Sequence, residues 1–148
     1  MDYPVRTLDE MRAWSVSRSL PHDQEKVWEA LTDREAMRRW SSVDLVGPRS
    51  MGAHITLAAE AEAPENGVIL AFERPRLYSY SSAGETFVWE VVPREPRGSR
   101  LTLSVTLDGE VPAPVDEAAW QARQRDLESQ LDALDADLAA QLSGSLRE

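Results

Sequence analysis

The sequence predicts an α+β fold, a curved antiparallel sheet with two short helices and a long C-terminal helix. Short alternating or apolar runs, separated by turn residues, fill positions 43–108 at the spacing of an antiparallel meander. Two short amphipathic segments precede the meander, and one apolar stripe at helical spacing follows it over 116–142. With 148 residues, 42% of them hydrophobic, the chain can form one domain with its own core.

Residues 1–10 are expected to form an extension in which Tyr3-Pro4 is the only part suited to pack against the domain. The start of the chain contains acids and lacks the apolar core of a signal peptide. No apolar run approaches the ~20 residues that span a bilayer. The sequence therefore predicts a cytoplasmic location.

The first predicted strand lies within 11–20. Trp14, Val16 and Leu20 share one parity and serines occupy the other, which is typical of a half-buried strand. Arg18 falls on the apolar face. Two interpretations of it stay open: an edge residue that extends its guanidinium to water, or a buried cation beside a cavity, which would need a partner.

Two short helices are predicted next. Asp23 is available as the N-cap of the first, and the segment 32–35 matches a capping box, which places Thr32 at the N-cap of the second. The apolar residues of both segments have helical spacing. The side chains expected to point inward are Val27, Trp28, Leu31, Met37 and Trp40.

Six strands are predicted in the meander. Glycine and proline separate them, as at Gly47-Pro48 and in the segment 64–67, because these residues favour turn conformations. In the last strand four apolar residues alternate without interruption with Thr and Ser, so one of its faces must be buried. The predicted strands are 43–46, 54–60, 68–73, 77–81, 86–92 and 100–107.

The long helix is predicted from Asp116 to about Leu142. Its apolar stripe consists of Trp120, Leu127, Leu131, Leu134, Leu138 and Leu142. Acidic residues occupy the other faces of the helix, which are expected to face solvent. The domain is thus expected to span 11–142, followed by a flexible tail at 143–148.

The charge balance argues against polyanionic partners. Sixteen basic residues stand against 26 acidic ones, for a net charge of −10, and such a surface repels nucleic-acid phosphates and anionic lipid heads. The densest basic groups, Arg38-Arg39 and the arginines at 94, 97 and 100, are small and mixed with acids. We therefore expect neither a nucleic-acid nor a membrane partner.

Five segments, taken together, resemble a known superfamily. They are VSRSL at 16–20, VWEALTD at 27–33 with Trp40, FERPRLYSYS at 72–81, GSRLTLSVTL at 98–107, and Trp120 followed by Leu127 and Leu131. Their order resembles the START-like, or SRPBCC, superfamily, and within it the branch named for the activator of heat shock protein 90 ATPase, which is related to polyketide cyclases. The resemblance implies a helix-grip fold with a cavity between the sheet and the C-terminal helix.

The implied cavity would be lined by residues of both elements. Gln124 stands where family members often carry an apolar residue, which predicts one polar contact for the ligand. Trp89 shares a parity with Phe87, and Tyr78 with Tyr80. The predicted ligand-binding residues are Arg18, Trp40, His54, Tyr78, Tyr80, Phe87, Trp89, Leu103, Trp120, Gln124 and Leu127.

The sequence contains no recognisable catalytic set. His22 and His54 are the only histidines, with no carboxylate at ligand spacing, and cysteine is absent. No nucleophile elbow, phosphate-binding glycine loop or dinucleotide fingerprint occurs. We therefore expect no metal and no cofactor, and the sequence leaves enzymatic activity undecided.

Three functional hypotheses remain. The leading one is binding of a small, largely hydrophobic molecule, a lipid or a polyketide-like compound. The second is a polyketide cyclase or aromatase-like enzyme, in which Arg18, His54 or a tyrosine orients a reactive ligand. The third is a protein interaction module or co-chaperone-like protein, including a homodimer formed through the leucines of the long helix. We expect no chaperone activation.

Overall fold

The computed structural model describes Thr7, residues 9–59 and residues 62–146, with side chains up to Gln141. Most of the predicted N-terminal extension, Glu60 at the end of a predicted strand, the side chain of Leu142 and the last two residues of the predicted tail lie outside the described residues. Within them, no helix combines the length and hydropathy that crossing a bilayer requires.

Seven strands form one antiparallel sheet in the order β1-β7-β6-β5-β4-β3-β2. The N-terminal strand pairs with the last one, so the meander is extended at its C-terminal edge by the first strand of the chain. This arrangement confirms the predicted fold class. The strands are β1 (Ala13–Leu20), β2 (Val43–Val46), β3 (His54–Ala59), β4 (Glu65–Glu73), β5 (Leu77–Ser82), β6 (Glu85–Pro93) and β7 (Ser99–Leu107).

The sheet bends around its helices. The register between β4 and β5 shifts between Ile69 and Ala71, and the extra residue, Leu70, is exposed. A bulge of this kind bends a strand and increases its twist. The three helices are α1 (Gln24–Thr32), α2 (Arg34–Trp40) and α3 (Glu117–Leu146), and one turn of 3-10 helix covers Glu10–Arg12.

The start of α3 is fixed to β1 by two tryptophans. Trp14 donates its indole N–H to the carbonyl of Trp120 at 3.1 Å, and Trp120 donates to the carbonyl of Ala13 at 3.1 Å. The two rings stack with centroids 6.1 Å apart. Asp116 caps the helix by accepting from the amide of Ala119. These contacts set where the helix crosses the sheet.

The leucine stripe of α3 is buried within the chain. Leu127, Leu131 and Leu134 are 0% exposed and Leu138 is 6% exposed, as the periodicity predicted. The helix extends past its predicted end into the segment predicted as a flexible tail, as far as Leu146. A homodimer through this stripe would have to use residues other than these four, because they already pack against the sheet and the short helices.

The N-cap of α2 differs from its prediction. Asp33, one residue later than the predicted Thr32, accepts from the amide of Ala36 at 3.0 Å. Thr32 instead ends α1, where its hydroxyl donates to the carbonyl of Trp28. Both residue types cap helices well, so the sequence alone did not decide between them. Asp23 holds the N-cap position of α1 but its side chain makes no capping hydrogen bond.

The segment 64–67, predicted as a turn, largely belongs to β4. Asn66 and Gly67 pair with Thr56 and Ile55 of β3. Gly67 lies so close to the next strand that a Cβ there would collide with the carbonyl oxygen of Ser81. The glycine therefore serves close strand packing and not a reversal of the chain.

Candidate ligand-binding cavity

A cavity of about 230 Å³ lies between the concave face of the sheet and helices α2 and α3. An apolar cavity of about 150 Å³ can hold benzene, so this one has room for a ligand of roughly two fused rings. It is lined by Met37, Trp40, Ser41, Val43, Leu45, Leu57, Ala59, Glu62, Ala63, Glu65, Tyr80, Ser82, Ala83, Glu85, Phe87, Trp89, Arg123 and Gln130.

Four aromatic rings form one wall. Trp40 and Trp89 meet edge to face with centroids 6.2 Å apart, and Tyr80 stacks on Phe87 at 5.0 Å. The last two are directly opposite each other on β5 and β6. Trp40 donates its indole N–H to the carbonyl of Ala30 at 2.9 Å, which orients its ring. Rigid aromatic faces of this kind favour flat, apolar ligands.

The polar end of the cavity contains an ion pair. Arg123 on α3 uses one terminal nitrogen, Nη2, to donate to both carboxylate oxygens of Glu85, at 3.2 and 3.3 Å. The Nε of the same guanidinium is buried and has no hydrogen-bond partner among the described residues. Burial raises the pKa of Glu85, Arg123 lowers it, and the nearby charge of Glu65 raises it again.

The hydroxyl of Tyr80 is held in its neutral form. Burial raises the pKa of this phenol above its ordinary value of 10.0, and a hydrogen bond with Trp89 offsets part of the rise. In the unfolded chain Tyr80 would ionise near pH 10, whereas in the folded chain its pKa is higher, so this group's contribution to stability should be lost as the pH rises above about 10.

We therefore expect the Tyr80 phenol to remain protonated through pH 10, as a hydrogen-bond donor for a ligand. Absorbance titration of wild type and Tyr80→Phe should give superimposable curves up to that pH. A phenolate step below pH 10 that disappears in Tyr80→Phe would contradict the burial argument.

Arg49 supports the cavity from outside its lining. Its guanidinium donates to the carbonyls of Thr32 at 3.0 Å, Gly47 at 2.8 Å and Leu45 at 2.8 Å, which ties the end of α1 to β2. Nothing in the local sequence pattern singles it out. The acceptors lie at the end of α1, within β2 and in the residue after β2, and only folding brings α1 and β2 together.

Arg49→Ala should lower the free energy of unfolding by about 2–3 kcal/mol, because hydrogen bonds from a charged donor contribute more than neutral ones. Urea denaturation measures it. The matched control Arg38→Ala removes an exposed arginine that pairs with the exposed Glu35 at 3.6 Å, and it should change stability by less than about 0.5 kcal/mol. Equal losses in the two variants would argue against a structural role for Arg49.

Four of the predicted ligand-binding residues line this cavity: Trp40, Tyr80, Phe87 and Trp89. Tyr78 lies on the same face of β5 but packs deeper, against Trp28 at 6.3 Å and Phe72 at 5.6 Å. Leu103 and Leu127 are 0% exposed in the core. These three contribute to the packing behind the cavity and not to its lining.

The other four predicted residues lie elsewhere. Arg18 pairs with Asp132 of α3 at 3.1 Å and stays partly exposed, so it has the partner that a buried cation would need without facing the cavity. His54 is exposed on the opposite face of the sheet from Ile55. Trp120 is stacked on Trp14, and Gln124 donates to the carbonyl of Ser15 at 3.3 Å.

Several lining residues were missing from the sequence prediction. Arg123 and Gln130 are seven residues apart on α3, so they share a face, and each lies beside the apolar stripe. A pair of polar residues on one helix face, beside the apolar stripe, was the sequence signal that could have identified them as lining residues. Glu85 directly follows the Ala83-Gly84 turn, and its position opposite α3 depends on contacts that are distant in sequence.

No group of three or more metal-ligating side chains occurs in the parts of the chain that the structure describes. The lining combines aromatic and aliphatic side chains, which can contact an apolar molecule, with the ion pair of Arg123 and Glu85, which can hydrogen-bond to it.

Comparison with known proteins relates the chain to one family and to several solved structures. Residues 11–139 match the family described as polyketide cyclase / dehydrase and lipid transport. A search of curated proteins finds no significant match.

The solved structures share the fold at low sequence identity. Protein MLL2253 from Mesorhizobium loti is 19% identical with a TM-score of 0.75, and the alignment covers 87% of this chain and 98% of that one. Protein NE0264 from Nitrosomonas europaea is 16% identical with a TM-score of 0.72, covering 91% and 99%. Ara h 8.0201 is 16% identical with a TM-score of 0.65, covering 86% and 97%.

Proposed function

Because the chain belongs to the polyketide cyclase / dehydrase and lipid transport family, we propose that it binds a small, flat, largely apolar molecule in the cavity beneath α2 and α3. The observation that carries the proposal is an unfilled space of about 230 Å³ with four aromatic rings in its wall. Ligand pockets in proteins are concave and mostly apolar, with a few polar groups that set orientation.

The expected affinity is moderate. At roughly 0.5 kcal/mol per non-hydrogen atom, a two-ring ligand of about eleven atoms would bind with a Kd near 100 μM. A larger molecule that extends through the open mouth of the cavity would bind more tightly. Lipid chains and polyketide-like ring systems both meet this description, and the flat aromatic wall favours the ring systems.

Native mass spectrometry and thermal denaturation with panels of flavonoids, polyketides and lipids test the proposal. A ring compound at about ten times its Kd should form a one-to-one complex and raise the Tm by about 3–6 °C. A panel that gives neither complexes nor shifts would overturn the proposal.

Two finer assignments belong with it. We propose that residues 11–142 act as a single ligand-binding domain, and that the chain lies in the branch named for the activator of heat shock protein 90 ATPase, on the five segments that resemble it. That branch name carries no chaperone role here. The leucines of α3 that a helix-mediated partner would contact are buried within the chain.

A cyclase-like enzyme is the second candidate, and the ion pair in the cavity favours it. Arg18 and His54 lie away from the cavity, so a reactive ligand would instead meet Tyr80, Glu85 and Arg123. Glu85, whose pKa is raised by burial, is the group suited to accept a proton. Loss of polyketide turnover in Glu85→Gln and its retention in His54→Ala would favour the enzyme; turnover in neither wild type nor variant would exclude it for the compounds tried.

A further inference from the structure

The charged side chains that line the cavity sum to a negative charge. Among the described lining residues, Glu62, Glu65 and Glu85 are acidic and Arg123 is basic. Arg123 is already paired with Glu85 at 3.2 Å. An anionic ligand would therefore meet no uncompensated positive charge, and in a partly dry site repulsion between like charges is strong.

The ion pair nevertheless offers a hydrogen-bond acceptor to a neutral ligand. The carboxylate of Glu85 is held by Nη2 of Arg123 and can accept further hydrogen bonds. A ligand hydroxyl can donate its hydrogen to this carboxylate. An ionised ligand carboxylate has no hydrogen to donate, and it places its own charge against Glu85.

We propose that the cavity selects neutral hydroxyl-bearing ligands, phenols or alcohols, and discriminates against carboxylates of the same size and shape. This selectivity rests on the proposed ligand-binding function and narrows it. Free fatty acids and aromatic acids in their ionised forms would be poor ligands, and the corresponding alcohols and phenols would be good ones. The discrimination comes from a repulsive element in the site as much as from an attractive one.

Calorimetric titration with 2-naphthol and 2-naphthoate at neutral pH tests the selectivity, because the two probes share one ring system and differ in the charge of the substituent. Wild type should bind 2-naphthol at least about tenfold more tightly than 2-naphthoate. Glu85→Gln keeps an acceptor oxygen and removes the charge, so 2-naphthoate should gain about tenfold and the preference should shrink or reverse.

Glu90→Gln is the matched control. Glu90 lies on the same strand, on the opposite face from the cavity, where it pairs with Arg76 at 3.2 Å. The substitution removes the same charge from the protein, so the preference for 2-naphthol should stay as in wild type. A change of preference equal to that of Glu85→Gln would assign the effect to net charge and overturn the role of the ion pair.

Two further outcomes distinguish a failure of the charge selectivity from a failure of the proposed ligand-binding function. If 2-naphthoate binds wild type as tightly as 2-naphthol, or if Glu85→Gln leaves their ratio unchanged, the charge selectivity is wrong while ligand binding stands. If neither probe binds at about tenfold above the expected Kd, both the selectivity and the proposed function are wrong.

Discussion

Ala59→Phe is expected to weaken binding of 2-naphthol at least about tenfold, a loss of about 1.4 kcal/mol, while the protein stays folded. Ala59 lies on β3 and its methyl group lines the cavity. A phenyl ring there would take up volume that the ligand needs. Overpacking a filled core costs roughly 1–3 kcal/mol. Because the volume beside Ala59 is empty in the free protein, the added ring should cost less than this.

Ala58→Phe is the matched control for this prediction. Ala58 is the preceding residue on the same strand, opposite Asp44 of β2, and its side chain points to the other face of the sheet. Calorimetry should therefore find wild-type affinity in Ala58→Phe. Wild-type affinity in Ala59→Phe as well would show that the ligand occupies another part of the molecule.

Trp28→Ala should lower the free energy of unfolding by about 3–5 kcal/mol, the range for truncating a large aromatic residue in a core. Trp28 is 1% exposed on α1, and its ring packs against Phe72 at 5.2 Å and Tyr78 at 6.3 Å. Domains of this size are stable by only about 5–15 kcal/mol, so the variant should be close to unfolding. Urea denaturation measures the loss.

The stability loss of Trp28→Ala is to be compared with that of Trp40→Ala, because the second variant also truncates a tryptophan, but one that lies beside the empty cavity. Trp40 is partly exposed and lines the cavity, so its truncation leaves fewer contacts unmade. We expect a loss of about 2 kcal/mol in this variant. A loss as large as that of Trp28→Ala would mean that the cavity wall is packed like the core, with no empty space beside Trp40.

The fold was predictable because its signals are local. In β7 the alternation of Leu101, Leu103 and Val105 with polar residues fixes the buried face, and all three leucine and valine side chains are 0% exposed. The start of β4 was not predictable in the same way. Asn66 and Gly67 have the composition of a turn, and only their pairing with β3 makes them part of a strand.

The cavity was harder to predict, because parity tells which residues point inward but not which inward positions stay unfilled. Tyr78 and Tyr80 share one face of β5, yet one packs on Trp28 and the other faces the empty space. The difference depends on how far α1 and α2 reach along the sheet. That distance is set by tertiary contacts such as those of Arg49.

At the polar end of the cavity, the rotation of α3 about its own axis decides which side chain lines the cavity. The sequence drew attention to Gln124, but its neighbour Arg123 lines the cavity and Gln124 contacts β1 instead. Adjacent helical residues differ by about 100° around the axis, so the roll of α3 determines which of them faces the ligand. The two tryptophans that fix the start of α3 to β1 set that roll.

The indole N–H resonances of the five tryptophans provide the most direct test of the central claim that the cavity is open and takes a small molecule. The indoles of Trp40 and Trp89 line the cavity. The other three, Trp14, Trp28 and Trp120, lie away from it. On titration with 2-naphthol, the first two resonances should shift in a saturable way and the other three should stay in place. Five unmoved resonances, or shifts confined to the three distant indoles, would contradict it.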